Sequence, residues 1–187
     1  MRKLVVLTGV TGFIAKRIAF DLLEAGHSVR GSLRSAGRAD EVRDALRPRL
    51  SDPSALDRLS FVELDLARDD GWPQAMDGAD ALFHTASPFP LSQPRDENDI
   101  IRPAVDGTLR AMRAAQAAGV TRVVLTSSVV AIEAKDKAGA YTEDDWSDPG
   151  HPKSNAYYKS KTMAERAAWD FVAAHPEMQL TTINPAL

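Results

Sequence analysis

Short apolar runs alternate with segments of helical spacing along the chain, starting at its first residues. The short runs are apolar at consecutive positions, which is typical of strands covered on both faces. Strands that alternate with helices in this way predict βαβ units and a parallel sheet, and therefore an α/β fold. We expect strands at residues 3–8, 28–33, 59–64, 79–85, 122–127 and 179–183.

Helices are expected between these runs. Residues 13–25 carry apolar side chains at helical spacing, which we expect to share one apolar stripe: Phe13, Ile14, Ile18, Leu22 and Leu23. A shorter polar helix is expected at 40–50, stopped or bent near Pro48, and long helices are expected at 97–118 and 154–174. A length of 187 residues corresponds to roughly one domain, so we expect a single unit at 1–187.

The turn after the first predicted strand has the composition of a dinucleotide-binding loop. Gly9 and Gly12 permit a tight turn and a close approach of the backbone to a pyrophosphate, and Ala15 is small enough for helix–strand packing. The N–H groups at the start of the following helix attract phosphate. The alternative is a plain βα turn, but the position between a strand and a helix favours a nucleotide site.

The end of the second predicted strand indicates which nucleotide would bind. Arg34 and Arg38 follow this strand, and no acidic residue precedes Asp40. A carboxylate at this point would favour NAD, whereas Arg34 can bind a 2′-phosphate through two hydrogen bonds. The pattern predicts NADP(H), unless both arginines are merely solvated. After the third strand, Asp65 with Leu66 either binds the adenine edge or forms a turn or helix cap.

Tyr157 and Lys161 lie four residues apart at the start of the last predicted helix, so they share one face. A nearby ammonium is expected to lower the pKa of the phenol. Such a tyrosine can donate a proton to a carbonyl oxygen as hydride arrives. Ser128, at the end of the fifth predicted strand, can polarise the same oxygen. Tyr158 is the competing phenol, but the residue four positions later is Thr162.

The end of the fourth predicted strand carries His84, followed by small residues. His84 alone is expected to be a buried imidazole with satisfied hydrogen bonds. The backbone of Thr85, Ala86 and Ser87 can instead pass under a bound cofactor. Both interpretations remain open at this stage.

The composition excludes several kinds of site. The chain has no cysteine, which excludes disulfides, thiolate metal sites and cysteine nucleophiles. Four scattered histidines lack ligand spacing, so no metal site is expected. A net charge of −3 lacks the basic excess of nucleic-acid-binding proteins. The apolar run 4–7 is too short for a signal peptide, and no transmembrane segment is found, so we expect a cytoplasmic protein without membrane contact.

Together these features make the chain resemble the extended short-chain dehydrogenase/reductase family, within the NAD-dependent epimerase/dehydratase superfamily. The resemblance is closest to the dihydroflavonol 4-reductase-like branch. The motifs that carry it, in order, are TGVTGFIA, VRGSLR, HTASP, PAVDGTL, RVVLTSS, YTEDDWSD, YYKSK and the closing Asn184-Pro185. The resemblance implies a Rossmann-like, doubly wound parallel sheet with strand order 3-2-1-4-5-6. It also implies an NADP(H)-dependent reductase that converts a small-molecule ketone or aldehyde to an alcohol.

The resemblance also implies roles for individual residues. Tyr157 would donate the proton, Ser128 would polarise the carbonyl, and Lys161 would tune Tyr157 and bind the ribose of the cofactor. The residues implied to contact the cofactor are Gly9, Thr11, Gly12, Phe13, Ile14, Arg34, Asp65, Leu66, Thr85, Ala86, Ser87, Tyr157, Lys161 and Pro185.

Departures from the family pattern define the alternatives. Ala104 replaces an asparagine that sugar epimerases carry, which counts against a nucleotide-sugar epimerase or dehydratase. Ala156 replaces the tryptophan of the cinnamoyl-CoA reductase signature. Family members continue well past Asn184-Pro185, so we expect the cofactor half of a longer fold, with the substrate region missing. A non-catalytic nucleotide-binding module or an inactive fragment is the remaining alternative. A homodimer could form through the helices at 97–118 and 154–174.

Overall fold

The computed structural model describes residues 1–89 and 94–186. The strands are β1 (Leu4–Thr8), β2 (Ser28–Leu33), β3 (Leu59–Glu63), β4 (Ala81–His84), β5 (Arg122–Thr126) and β6 (Gln179–Ile183). The α-helices are α1 (Phe13–Glu24), α2 (Ala39–Leu46), α3 (Trp72–Met76), α4 (Asn98–Ala117) and α5 (Ala156–Ala174). Short 3₁₀ turns lie at Ala36–Arg38, Pro53–Arg58 and Val129–Ala131.

The strands form one parallel sheet in the order β3-β2-β1-β4-β5-β6, with β3 and β6 at its two edges. This order confirms the predicted Rossmann-like topology. The chain leaves β3 at one edge and re-enters the sheet at β4, on the other side of β1. In open α/β sheets the crevice at such a reversal, beyond the carboxyl ends of the strands, is where ligands bind.

Both faces of the sheet are covered, as the continuous apolar runs predicted. Successive side chains of a strand point to opposite faces. Leu7 packs in a cluster with α1 and α2, including Leu23 and Val42. Val6 packs in a second cluster with α3 and α4, including Met76 and Met112.

The buried stripe of α1 differs from the predicted one. Ala15, Ala19 and Leu23 are buried, whereas Phe13 is 93% exposed and Ile14 is 43% exposed. Alanines spaced four residues apart let the helix approach the sheet closely. Phe13 is the first residue of α1, and its side chain lies outside the core.

The ends of two elements also differ from the sequence prediction. The fourth strand begins at Ala81 instead of residue 79. Asp80 lies in a bend before it, and the Asp80 carboxylate accepts the N–H of Leu4 on β1 at 2.7 Å. Helix α2 ends at Leu46 instead of residue 50, which is the stop near Pro48 that the sequence predicts. Pro48 lacks the N–H that a continuing helix would need.

Within the ranges 1–89 and 94–186, no helix is both long enough and apolar enough to cross a membrane. The predicted irregular loop at 88–96 is described only in part, because residues 90–93 lie outside those ranges. Helices α4 and α5 pack against each other. Their pairing with a second subunit stays a prediction, as does the treatment of 1–187 as one domain.

Candidate functional site

A groove of about 520 Å³ lies at the carboxyl ends of the central strands. Among the residues that the sequence predicts for cofactor contact, those lining the groove are Gly9, Thr11, Gly12, Arg34, Asp65, Leu66, Thr85, Ala86 and Ser87. The groove is completed by Ser32, Leu33, Arg38, Leu64, Ala67, Trp72, Pro88, Phe89 and Pro103. Ser32, Leu33, Pro88 and Pro103 lie within the motifs VRGSLR, HTASP and PAVDGTL, although the sequence predicts no role for them individually. Leu64, Ala67, Trp72 and Phe89 lie outside these motifs, and the packing of neighbouring strand ends brings them to the groove.

The glycine turn is shaped for close contact. Gly9 has φ +67°, and a Cβ at this position would lie 3.1 Å from the Cβ of Ala86. The Gly9 N–H donates to Ser32 Oγ at 2.9 Å, and the Gly12 N–H donates to the Gly9 carbonyl at 2.9 Å. The N–H groups of both glycines therefore have acceptors, that of Gly9 on β2 and that of Gly12 within the turn.

The start of α1 supplies the donors that a phosphate would need. Gly12 is the N-cap residue and has no side chain that could accept from the first turn. The first N–H groups of a helix lack partners within the helix. Phe13 and Ile14 do not line the groove with their exposed side chains, so any contact with a cofactor would come from their backbone N–H groups.

The charged residues at the groove mouth are not equivalent. Arg38 binds the Glu41 carboxylate at 2.7 Å, and Glu41 also binds Lys16 at 2.6 Å. Arg38 also donates to Thr11 Oγ1 at 3.4 Å. Arg34 lines the groove, and in the described part of the chain no carboxylate pairs with it. Arg34 is thus the cation that an added phosphate could engage without displacing a partner.

Asp65 forms a turn, and its contact with the adenine edge of a cofactor stays a prediction. Its Oδ1 accepts the Ala67 N–H at 2.9 Å, which is the turn expected as the simpler interpretation. The residue also lines the groove beside Leu66. Its second carboxylate oxygen could still meet a ligand.

The structure brings Ser128, Tyr157 and Lys161 together. Ser128 caps the 3₁₀ turn after β5, and Tyr157 stands in the first turn of α5. Asn155 fixes the start of this helix, since its Oδ1 accepts the Tyr157 N–H at 2.9 Å. Lys161 is buried one turn later, with its Nζ 6.0 Å from the centroid of the Tyr157 ring.

The pKa of Tyr157 differs from the expectation. Burial raises the pKa of Tyr157, and a hydrogen bond with the Ser128 hydroxyl offsets only part of that rise. The predicted lowering by Lys161 is therefore not what the structure shows, because the cost of burying a phenolate dominates. Tyr157 stays protonated at neutral pH, which suits a proton donor.

The pKa of Lys161 is shifted in the opposite direction, downward. Burial lowers the pKa of Lys161 to about 8, against an opposing effect of Glu165. The ammonium is desolvated in this position. Its proton is held less tightly than that of a surface lysine.

The competing phenol is already engaged. The Tyr158 hydroxyl donates to Glu133 at 2.8 Å, and this hydrogen bond is the largest cause of the raised pKa of Tyr158. Tyr158 therefore anchors α5 to the segment after β5. The choice of Tyr157 over Tyr158, made on spacing, agrees with this arrangement.

Asn184 has a role that no sequence signal beyond its place before Pro185 indicates. Its side-chain amide donates to the Ser128 carbonyl at 3.1 Å and to Glu165 at 2.8 Å. The Pro185 carbonyl accepts the Val129 N–H at 3.0 Å. These contacts hold the Ser128 segment against α5. Pro185 is placed against Val129 and does not line the groove.

The loop at 135–153 is organised around a buried carboxylate. Asp145 binds Lys137 and Lys135, and accepts the Thr142 N–H at 2.8 Å. These contacts hold the pKa of Asp145 well below its usual range. A second cavity of about 520 Å³ lies beside this loop, with Trp146 and Trp169 in its wall.

Comparison with known proteins gives a consistent family assignment. The family described as "NAD dependent epimerase/dehydratase family" matches residues 5–187. The dihydroflavonol 4-reductase of Hordeum vulgare is 34% identical over 190 residues, which cover 98% of this chain and 52% of that protein. Cinnamoyl-CoA reductase 1 of Petunia hybrida is 36% identical over 190 residues, which cover 99% of this chain and 54% of that protein.

Solved structures agree with these relatives. Yeast methylglyoxal/isovaleraldehyde reductase Gre2, complexed with NADPH, aligns with a TM-score of 0.82 and 30% identity, over 97% of this chain and 57% of that one. UDP-glucose 4-epimerase from Bifidobacterium longum shares the fold at a TM-score of 0.77, with 18% identity over 97% of this chain and 52% of that one. The chain spans about half the length of the curated relatives it matches.

Proposed function

The chain belongs to the NAD dependent epimerase/dehydratase family, and on this basis we propose that it is the cofactor-binding part of an NADP(H)-dependent reductase. The reaction is the reduction of a ketone or an aldehyde to an alcohol. Family membership confirms the resemblance seen in the motifs. The reaction, the cofactor and the residue roles are the proposal.

One observation carries the proposal above the others. Phe89 lines the groove, and its ring contacts the ring of Tyr157 at a centroid distance of 5.3 Å. Tyr157 does not itself line the groove, but Phe89 places the Tyr157 ring next to the groove wall. A hydride donor in the groove and the proton of Tyr157 could act on the two atoms of one carbonyl group.

The groove fits a dinucleotide phosphate on its own features. Gly9 lets the turn lie close against Ala86, where a Cβ would be only 3.1 Å from the Ala86 Cβ. Gly12 leaves the first N–H groups of α1 without a side-chain acceptor. Arg34 supplies a cation for a 2′-phosphate. The NADPH bound to the similar Gre2 structure supports this cofactor.

Bound NADPH would supply the hydride. Tyr157 holds the proton for the carbonyl oxygen, and its raised pKa keeps that proton in place until negative charge develops on the oxygen. Ser128 binds the same oxygen through its hydroxyl and polarises the carbonyl. Lys161 would bind the ribose hydroxyls of NADPH with its buried ammonium. Asn184 holds the Ser128 segment against α5.

A cofactor titration followed by a substrate screen tests the proposal. NADPH and NADH are titrated separately against the chain, with cofactor fluorescence as the signal. We expect much tighter binding of NADPH than of NADH, and then consumption of NADPH with aldehydes or ketones. Equal affinities would contradict the role of Arg34. Turnover of a nucleotide sugar without net consumption of NADPH would indicate an epimerase instead. Tight binding without turnover of any carbonyl would indicate a nucleotide-binding module or an inactive fragment.

A further inference from the structure

A buried polar pair joins the two central strands beneath the groove. Thr8 ends β1 and His84 ends β4, and the two residues are direct partners in the sheet. Thr8 is 1% exposed and His84 is 2% exposed. Thr8 Oγ1 and His84 Nδ1 lie 2.9 Å apart.

The neighbours of Thr8 determine which atom carries the proton in this pair. The N–H groups of Thr85 and Ala86 both donate to Thr8 Oγ1, each at 3.0 Å. A hydroxyl oxygen has two lone pairs and one proton. Since the two amides use both lone pairs, the hydroxyl proton goes to His84 Nδ1. The ring must then accept at Nδ1 and carry its own proton at Nε2.

The surroundings of His84 agree with a neutral ring. Burial lowers the pKa of His84 to about 3, and the charge of Lys161 acts in the same direction. Within the described ranges, Nε2 has no hydrogen-bond partner. The bond to Thr8 is therefore the polar contact that orients the ring.

The backbone held by Thr8 forms part of the groove. Thr85 and Ala86 line it, and the Thr85 hydroxyl donates to the Thr8 carbonyl. The Cβ of Ala86 would lie 3.1 Å from a Cβ added at Gly9. A shift of this backbone would therefore change the space beside the glycine turn.

We propose that His84 is a positioning residue for the dinucleotide site. As the Nε2–H tautomer, it directs the Thr8 hydroxyl so that both lone pairs of Thr8 Oγ1 hold the Thr85 and Ala86 amides against the glycine turn. The nature of the ligand rests on the proposed function, but the tautomer and the hydrogen bonds do not. His84 touches neither cofactor nor substrate in this arrangement.

The first test compares two substitutions of Thr8. Thr8→Val keeps the branched shape and removes the hydroxyl, whereas Thr8→Ser keeps the hydroxyl. For Thr8→Val we expect the Kd for NADPH to rise about tenfold, because two buried amides lose their acceptor. For Thr8→Ser we expect a change of less than about twofold. Wild-type affinity in a folded Thr8→Val variant would overturn the proposal.

The second test reads the proton directly. Long-range ¹H–¹⁵N spectra of the wild-type chain at about pH 7 distinguish the two neutral tautomers and the charged ring. A His84→Asn variant assigns the signals of His84. We expect the Nε2–H tautomer, and an Nδ1–H tautomer or a charged ring would overturn the proposal.

Hydrogen exchange separates failure of this proposal from failure of the proposed function. The Thr85 and Ala86 amides should exchange faster in Thr8→Val than in Thr8→Ser, with or without any cofactor. If the wild-type chain binds no NADPH, the proposed function fails, while the tautomer and the exchange rates still decide the role of His84. If the Thr85 and Ala86 amides exchange at the same rates in Thr8→Val as in Thr8→Ser, the positioning role of His84 would be contradicted.

Discussion

The ring of Phe89 meets the ring of Tyr157 edge to face, with centroids 5.3 Å apart and planes at 82°. Phe89 itself is 65% exposed, so it covers the tyrosine from the solvent side. The contact therefore contributes to the burial that raises the pKa of Tyr157. The pKa of Tyr157 therefore depends on where Phe89, in the segment after β4, is placed.

Phe89→Ala should lower the pKa of Tyr157 toward its ordinary value, because water then reaches the phenolate more easily. The pKa is measured by absorbance titration of the phenols. Subtracting the titration of a Tyr157→Phe partner in each background isolates Tyr157 from the other tyrosines. An unchanged pKa would mean that elements other than Phe89 supply the burial.

Tyr157→Phe should reduce turnover of a carbonyl substrate by roughly a hundredfold or more, because the proton donor is lost. Its affinity for NADPH should stay near that of the wild type. Tyr158→Phe is the matched control, since this neighbouring phenol is bound to Glu133. Turnover is measured as consumption of NADPH, and equal losses in the two variants would contradict the assignment.

Arg34→Gln should weaken NADPH binding by about tenfold and leave NADH binding nearly unchanged, because only NADPH carries the 2′-phosphate. Arg49→Gln, at an exposed position after α2, controls for the change in net charge. Fluorescence titrations with both cofactors provide the affinities. A parallel loss of NADH affinity would show that Arg34 acts on the fold of the groove instead of on the phosphate.

Lys161→Met tests how much the buried ammonium of Lys161 destabilises the folded chain. The pKa of Lys161 is lowered from 10.5 to about 8, so the folded state binds its proton less tightly than the unfolded state. The cost is fully present below about pH 8 and is relieved as the pH rises toward the unfolded value. The free energy of unfolding of the wild type, relative to Lys161→Met, should rise by about 2 kcal/mol between about pH 7 and about pH 10.

Urea unfolding at the two pH values measures this difference. Lys153→Met, at an exposed position, is the control and should show no comparable rise. A difference that does not change with pH would mean that Lys161 is not desolvated in the folded chain.

Gly9→Ala should destabilise the chain more than Gly26→Ala. Both glycines have positive φ, +67° and +82°, so alanine costs about 1–2 kcal/mol in backbone strain at either position. Only at Gly9 would the new methyl group also press on Ala86, since nothing lies within 4 Å of the corresponding atom at Gly26. Thermal unfolding compares the two, and only Gly9→Ala should also weaken NADPH binding. If Gly9→Ala and Gly26→Ala changed the affinity for NADPH equally, close packing at the glycine turn would be contradicted.

The sequence predicts well those features that depend on residues close together in the chain. The parallel sheet follows from the alternation of elements, whereas its strand order follows from the family resemblance. The glycine turn follows from Gly9 and Gly12 standing between a strand and a helix. The pairing of Tyr157 with Lys161 follows from one turn of α5. Apart from the strand order, the residues that matter are close in the chain, so periodicity alone places them.

The features that the sequence does not predict depend on contacts between distant segments. Thr8 and His84 become partners only through the register of β1 with β4. The ion pair between Glu41 and Lys16 joins α2 to α1 across 25 positions of the chain. The direction of the Tyr157 pKa change depends on burial, which spacing along one helix cannot reveal. The buried stripe of α1 is built on alanines, which give a weak hydrophobic signal.

The edge position of β6 has a consequence for handling the chain. A strand at the rim of a sheet presents backbone N–H and C=O groups that another extended segment can join. Ile183, in this strand, is 50% exposed. Two copies could therefore associate edge to edge at high concentration, and such aggregates would withdraw chain from a cofactor titration and lower its apparent stoichiometry. Dilution, or a lysine introduced on the outward face of β6, would restore a monomeric sample.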